Sequence, residues 1–269
     1  MTNASFNKKV VLITGSTQGI GKTTAFHMLK AGACVVINGR DKQRLQEAYE
    51  ELSPYGELLA VSGDMSQWQD VQALVSKTLS RFGQIDALIC NAGIKFEDSF
   101  RRTSPETLQK ILNVNFLGKI LPIKAALESL IQTSGSVILI GSLAGLYGLP
   151  GAGIYSASKM ALTAISQTLG AELAQHHVHV GLIYVGLTDN DSSSSIMNGA
   201  GEKLDFPDRN LPRQSQAVVA NAIMRMIQKR IRRKVMTRLG IALDILTHIS
   251  PRLLRWVFTK RAREMKEIV

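Results

Sequence analysis

The feature that most restricts the fold of this chain is a glycine-studded turn set between two short apolar runs. Lys9-Val10-Val11-Leu12-Ile13 leads directly into Thr14-Gly15-Ser16-Thr17-Gln18-Gly19-Ile20-Gly21, and a helix-spaced stretch over residues 22–30 follows. Gly32 and Ala33 stop that helix, and Cys34-Val35-Val36-Ile37-Asn38 is a second apolar run. Unbroken apolar runs of this length suit strands buried on both faces. Strand, glycine turn, helix, strand is a βαβ unit, and that context makes the glycine pattern an expected dinucleotide site. Glycines let the backbone approach a pyrophosphate, and the free N–H groups and positive dipole end of the next helix face that anion. The rival is a phosphate-hydrolysing P-loop, because Gly21-Lys22-Thr23 looks like its end. That loop needs glycine at position 16, where the chain has Ser16.

The same alternation continues. Residues 40–52 read as a helix, 58–62 as a strand, and 66–82 as a helix capped by Ser66 with Asp70 in its first turns. A strand is expected over 85–90. Ser104-Pro105-Glu106 opens a helix with serine as cap and proline at the first position. Strands over 136–140 and 178–184 flank a long helix over 155–175. The fold class expected is α/β, a Rossmann-type doubly wound parallel sheet with its ligand at the C-terminal strand ends. The 269 residues suit one such domain, expected over 1–223, followed by a basic, apolar helical extension over 224–269.

A second constellation lies in the latter half. Tyr155 and Lys159 are four residues apart, thirteen residues after Ser142. The spacing puts both on one helix face. A lysine cation beside a phenol is expected to lower the tyrosine pKa from its usual ~10, making Tyr155 a usable proton donor or acceptor.

With these motifs in order, the chain resembles the classical short-chain dehydrogenase/reductase family over roughly residues 8–190. The resemblance rests on the turn from Thr14 to Gly21, Asp64 after the third strand, and Cys90-Asn91-Ala92-Gly93 after the fourth. It includes Asn113-Val114-Asn115-Phe116-Leu117-Gly118, then Ser142, Tyr155 and Lys159. It implies hydride transfer between a nicotinamide cofactor and a carbonyl or secondary alcohol. Ser142 and Tyr155 would hold the carbonyl oxygen and Tyr155 would protonate it. Lys159 would bind the nicotinamide ribose, and Asn115 would support a water relay. Gly15, Ser16, Gln18, Gly19, Ile20 and Gly21 would form the phosphate turn. Asp64 and Met65 would border the adenine, and Asn91, Ala92 and Gly93 would pass the nicotinamide ribose. After the sixth strand the family usually has Pro-Gly and then a threonine on the carboxamide. Here Val185 replaces the proline, Asn190 falls at the threonine position, and Thr188 is expected to substitute. Residues 187–215 are expected to form a substrate loop. The family is usually dimeric or tetrameric through the helices carrying Asn115 and Tyr155.

The cofactor type turns on the end of the second strand. An acid there would hold a ribose 2′-hydroxyl, and a basic residue would accept a 2′-phosphate. Gly39 stands where NAD-using relatives carry the acid, and Arg40 follows, suited to bidentate phosphate contact. NADP(H) is therefore expected, with Asp41 beginning the next helix as its cap; Asn38 or Asp41 would read the ribose if the cofactor were NAD(H).

Charge is uneven. Residues 224–269 hold 13 Lys or Arg against 3 Asp or Glu, so nearly all of the net charge of +11 lies there. Basic residues frame apolar ones, including Leu253, Leu254, Trp256, Val257 and Phe258. Three roles fit: an interfacial anchor on anionic lipid, a roof over the substrate pocket, or packing between subunits. Nucleic-acid binding is not expected, because no recognition motif accompanies the charge. No apolar run reaches the ~20 residues that span a bilayer. His176, His177 and His179 read as a solvated loop, and no metal site is expected. Cys34 and Cys90 read as reduced core residues, and with no leader pattern before the first strand a cytoplasmic chain is expected, peripheral at a membrane surface if the tail is an anchor. The function expected is NADP(H)-dependent carbonyl–alcohol interconversion on an apolar or lipid-like substrate. A 3-oxoacyl reductase of fatty-acid type is the alternative among enzymes, and a non-catalytic NADP-binding redox sensor is the alternative outside them.

Overall fold

The computed structural model describes residues 6–189, 195–205 and 213–264; Asn190, which the sequence places at the family's threonine position, lies outside them. Seven parallel strands form the main sheet: β1 (Val10–Ile13), β2 (Cys34–Gly39), β3 (Leu58–Ser62), β4 (Ala87–Cys90), β6 (Ser136–Ser142), β7 (His179–Val185) and β10 (Arg233–Val235). Their order is β10-β7-β6-β4-β1-β2-β3, so the order of strand addition reverses between β1 and β4 and opens a crevice at the C-terminal strand ends. A small second sheet joins β5 (Lys95–Phe96), β8 (Ser195–Met197) and β9 (Lys203–Asp205) above that crevice.

Helices cover both faces. On one side, α1 (Gly19–Lys30), α2 (Lys42–Leu52) and α7 (Gln216–Lys229) pack on Val11, Ile13, Val35, Ile37, Ile138 and Ile183. On the other, α3 (Trp68–Phe82), α5 (Gly118–Gln132) and α6 (Gly153–Glu172) pack on Leu12, Val36, Leu88, Val137, Leu139 and Leu182. Successive strand residues thus feed opposite cores, which is why each strand reads as a continuous apolar run. α4 (Pro105–Leu112) starts as its sequence requires: Ser104 Oγ accepts from Thr107 N at 3.1 Å, and Pro105 takes the first position.

Some expectations need correction. Ser66 does not cap α3, which begins at Trp68. The Asp64 carboxylate instead draws in the Ser66 N–H at 2.9 Å and its hydroxyl at 2.7 Å, a local Asx turn that competes with capping. Residue 224, the expected start of the extension, falls within α7, whose Met226 is buried in the core; β10 then extends the sheet beside β7, and α8 (Arg238–Ile249) and α9 (Pro251–Glu264) follow. His179 is not in a solvated loop. It is the first residue of β7 and is buried, whereas His176 and His177 are exposed.

The glycine turn is held by close backbone packing. Gly15 has φ +60°, and a Cβ on it would lie 2.6 Å from Ala92 Cα. A Cβ on Gly21 would lie 2.6 Å from both Asn91 Nδ2 and the Gly15 carbonyl oxygen. Gly21→Ala is therefore expected to cost about 1–3 kcal/mol through overpacking and to displace the turn. Urea unfolding would read the loss, and a variant as stable as the parent would show that the turn has slack.

Candidate active site

A cavity of about 850 Å³ lies across the C-terminal ends of β1, β2, β4, β6 and β7. Most residues singled out from the sequence line it: Gly15, Gln18, Gly19, Ile20, Asn38, Arg40, Asp64, Met65, Asn91, Ala92, Gly93, Ser142, Tyr155, Lys159 and Thr188. Ser16, Gly21 and Asn115 do not. They stand behind the wall and shape it.

Ser16 is fully buried. Its hydroxyl donates to the Ile13 carbonyl at 2.7 Å and accepts from Asn38 N at 3.0 Å, joining β1 to β2. Asn38 is committed in the same way. Its amide donates to the Val61 and Gly63 carbonyls, both at 3.1 Å, and its Oδ1 accepts from Gly15 N at 3.4 Å. Asn38 therefore fixes the turn against β3 while also lining the cavity. Asn91 performs the matching task from β4, donating to the Thr14 and Gly15 carbonyls at 3.1 and 2.7 Å. The result is a concave strip of backbone at the start of α1, unobstructed by Cβ atoms. This cradle fits a dinucleotide pyrophosphate.

At the other end of this cavity lies the charge around Arg40. Asp41 caps α2, accepting from Gln43 N and Arg44 N at 3.0 and 3.1 Å, as the sequence suggested. A Cβ on Gly39 would run into Thr17 Cγ2, so an acid at that position requires Thr17 to move. Arg40 reaches Asp64 at 3.3 Å, and Arg44, which sequence reasoning passed over, reaches Gln18 at 3.4 Å. Burial pushes the Asp64 carboxyl up, but hydrogen bonds from Ser66 and the charge of Arg40 outweigh it and leave it below the usual carboxylate range.

Ser142, Tyr155 and Lys159 come together where β6 ends and α6 begins. Ser142 Oγ accepts from Ala144 N at 3.2 Å, and the Ser142 hydroxyl is hydrogen-bonded to the Tyr155 phenol. Lys159 Nζ lies 5.5 Å from the Tyr155 ring centroid. The expectation that Lys159 lowers the tyrosine pKa is not met here. Burial pushes the Tyr155 phenol up, opposed by the Ser142 hydrogen bond, and burial brings Lys159 down to about 8. The phenol therefore keeps its proton in neutral solution.

Asn115 sits in a wide π-turn, Asn113–Leu117, between α4 and α5. Its side chain clasps Ile94, accepting from the N–H at 2.8 Å and donating to the carbonyl at 3.0 Å. This fixes the strip after β4. A Cβ on Gly93 would lie 3.0 Å from Asn115 Oδ1 and 3.6 Å from Lys159 Nζ. One turn on, Lys119 is fully buried with Nζ 2.7 Å from the Cys90 carbonyl oxygen, while Cys90 Sγ donates to the Lys119 carbonyl at 3.3 Å. Burial, then the charge of Lys159, drives the Lys119 pKa well below its ordinary value. Its position four residues after Asn115 was the available signal.

A second cavity of about 320 Å³ opens from the first at Tyr155 and Ser142. Its walls include Phe96, Leu143, Leu149, Leu187, Ile196 and Phe258. The last belongs to α9, which therefore covers this cavity. Thr188 borders both spaces and pairs with Gln214 as an isolated bridge.

A family model described as short chain dehydrogenase matches residues 9–200. A zebrafish (Danio rerio) dehydrogenase/reductase SDR family member 7B is 31% identical over 95% of this chain and 86% of its own length. An Arabidopsis thaliana 11-beta-hydroxysteroid dehydrogenase-like protein 4A is 35% identical over 74% and 67%. The crystal structure of an alcohol dehydrogenase from Thermococcus sibiricus, complexed with 5-hydroxy-NADP, superposes with a TM-score of 0.74 at 25% identity, covering 86% of this chain and 95% of that one. A Burkholderia phymatum short chain dehydrogenase in complex with NAD gives 0.81 at 22% identity, over 93% and 96%, a likeness of fold. The ordered glycine turn, the Ser142–Tyr155–Lys159 cluster and the match over residues 9–200 make this chain a member of the short-chain dehydrogenase/reductase family, oxidoreductases that interconvert carbonyls and alcohols.

Proposed function

We propose that the chain is an NADP(H)-dependent oxidoreductase that interconverts a carbonyl and a secondary alcohol on an apolar, lipid-like substrate. The observation that carries this reading is the junction of the two cavities. The large cavity with its Cβ-free cradle meets a smaller, mostly apolar one at Tyr155 and Ser142. When bound, the nicotinamide supplies the hydride equivalent. The chain's own residues orient and protonate. Ser142 and Tyr155 hold the substrate oxygen, and in reduction the Tyr155 phenol, kept protonated by burial, passes its proton to that oxygen. Lys159 offers an ammonium to the ribose hydroxyls, and Asn115 is a positioning residue that holds Gly93 and Ile94 in place. Thr188, which borders both cavities, would meet the carboxamide.

Preference for NADP(H) is supported by Arg40 and Arg44, two guanidinium groups on one wall of the large cavity, and by the engagement of Asp41 as a helix cap. The same reading makes the protein a homodimer or homotetramer through α4–α6, where Leu112, Leu117 and Met160 are exposed. It also sets the basic, apolar tail against an anionic membrane surface.

Calorimetric titration with NADPH and NADH is expected to favour NADPH. Arg40→Ala and Arg44→Ala should each weaken NADPH by about 10- to 100-fold and leave NADH almost unchanged; equal losses for both cofactors would remove the 2′-phosphate assignment. pH gives a second check. Lys159 loses its charge as pH rises through about 8, so kcat/KM for reduction should fall through that range. Arginine does not titrate there, so Lys159→Arg should move the fall to higher pH; an unmoved limb would assign it to another group.

A further inference from the structure

Helix α9 has two faces with different surroundings. Leu254, Phe258 and Arg261 fall at helical spacing on one stripe. Leu254 is 3% exposed, while Phe258 and Arg261 border the apolar cavity. Phe258 also stacks on Tyr147 of the loop after β6, with ring centroids 5.0 Å apart. An adjacent stripe faces outward: Trp256 is 62% exposed, and Leu253 and Val257 are also exposed. α8 continues this surface with Leu239 and Ile249, each 75% exposed, and with Ile245. An apolar surface of this kind on a folded chain marks a docking site.

The charge around it selects the partner. Arg252, Arg255, Lys260 and Arg263 are exposed along α9. Asp244, the one acidic residue of α8, is turned to Arg233 with oxygens at 2.6 and 2.8 Å from its guanidinium. A cationic rim around Leu, Ile and Trp complements an anionic lipid interface. α8 is 12 residues and α9 is 14, and no helix among the described residues is long and apolar enough to cross a membrane, so the helices would lie in the interface.

We propose that the helices α8 and α9 form a lipid-facing roof, whose outer stripe rests on an anionic bilayer while its inner stripe admits a bilayer-dissolved carbonyl substrate to the cavity beside Tyr155. This rests on the carbonyl reductase reading and adds the route by which its apolar substrate enters. Arg261, with no hydrogen-bond or ion-pair partner among the described residues, stands at the cavity wall on the helix that meets the headgroups. The Tyr147–Phe258 stack is the contact that must part for entry.

The chain has two tryptophans, so Trp68→Phe leaves Trp256 as the sole reporter. Its emission is expected to shift to the blue with phosphatidylcholine–phosphatidylserine vesicles and not with phosphatidylcholine alone. Turnover with NADPH is then compared for vesicle-dissolved methyl undecyl ketone and for cyclohexanone in solution. Leu253→Glu combined with Val257→Glu should raise KM for the vesicle-borne ketone about tenfold and leave cyclohexanone unchanged. An unshifted Trp256, or equal use of the vesicle-borne ketone by the double variant, overturns the proposal while cyclohexanone turnover keeps the reductase reading intact. Turnover of neither ketone by a chain that binds NADPH defeats the reductase reading itself, and the entry route with it.

Discussion

The site depends on how closely two stretches of backbone approach one another. β1 and β4 are neighbours in the sheet, and the turns leaving them touch: Gly15 against Ala92, Gly21 against Asn91. Only hydrogen atoms fit at the two glycines. The contact is sealed by Asn91 on the Thr14 and Gly15 carbonyls and by Thr14 Oγ1, which accepts from the N–H groups of Asn91 and Ala92, both at 3.1 Å. This places the start of α1 and the strip after β4 on the two sides of one crevice. Everything else is attached to that crevice: Asn38 pins the turn from β2, Asn115 pins Ile94 from the π-turn, and α6 brings Tyr155 and Lys159 to its floor.

The Tyr155 environment separates two ways of making a proton donor. Charge from a neighbouring lysine would favour the phenolate. Burial does the reverse and dominates here, so the proton is held until an oxygen beside it becomes more basic. The same burial lowers Lys159 and, more strongly, Lys119. A pair of lysines beneath one cavity is tolerable because each can shed its charge. Lys119 also satisfies a backbone carbonyl at the end of β4, where an unpaired acceptor would be costly.

The sheet was legible in the sequence because its central strands are buried on both faces, which leaves unbroken apolar runs. β10 was not. It is a three-residue edge strand in which Arg233 and Lys234 are exposed and only Val235 is buried, so its letters read as part of a basic tail. The π-turn escaped as well, since apolar spacing near 3.6 residues carries no trace of one wide turn. Along the cavity wall, glycines, Ser142, Tyr155 and Lys159 could be singled out from the sequence because the chemistry expected of them constrains their spacing. Arg44 and Lys119 were not, because one cation on a helix reads as a solvated face until the fold shows what it meets. Ser16, Gly21 and Asn115 stand behind the wall: the polar side chains engage backbone and the glycine leaves room for it.

The tail shows how one helix can serve two ends. α9 contributes Phe258 to the apolar cavity and keeps Trp256 outside; on the proposed entry route, neighbouring residues of one helix would meet the substrate and the surface from which it arrives. The proposed chemistry requires Tyr155 to deliver the proton at the junction of the two cavities. The most direct test is Tyr155→Phe, with NADPH binding and carbonyl-dependent NADPH oxidation measured on the same preparation. The account predicts NADPH affinity unchanged and turnover lowered by about a thousandfold. Turnover within a few-fold of the parent enzyme would contradict it and move the proton donor elsewhere in the site.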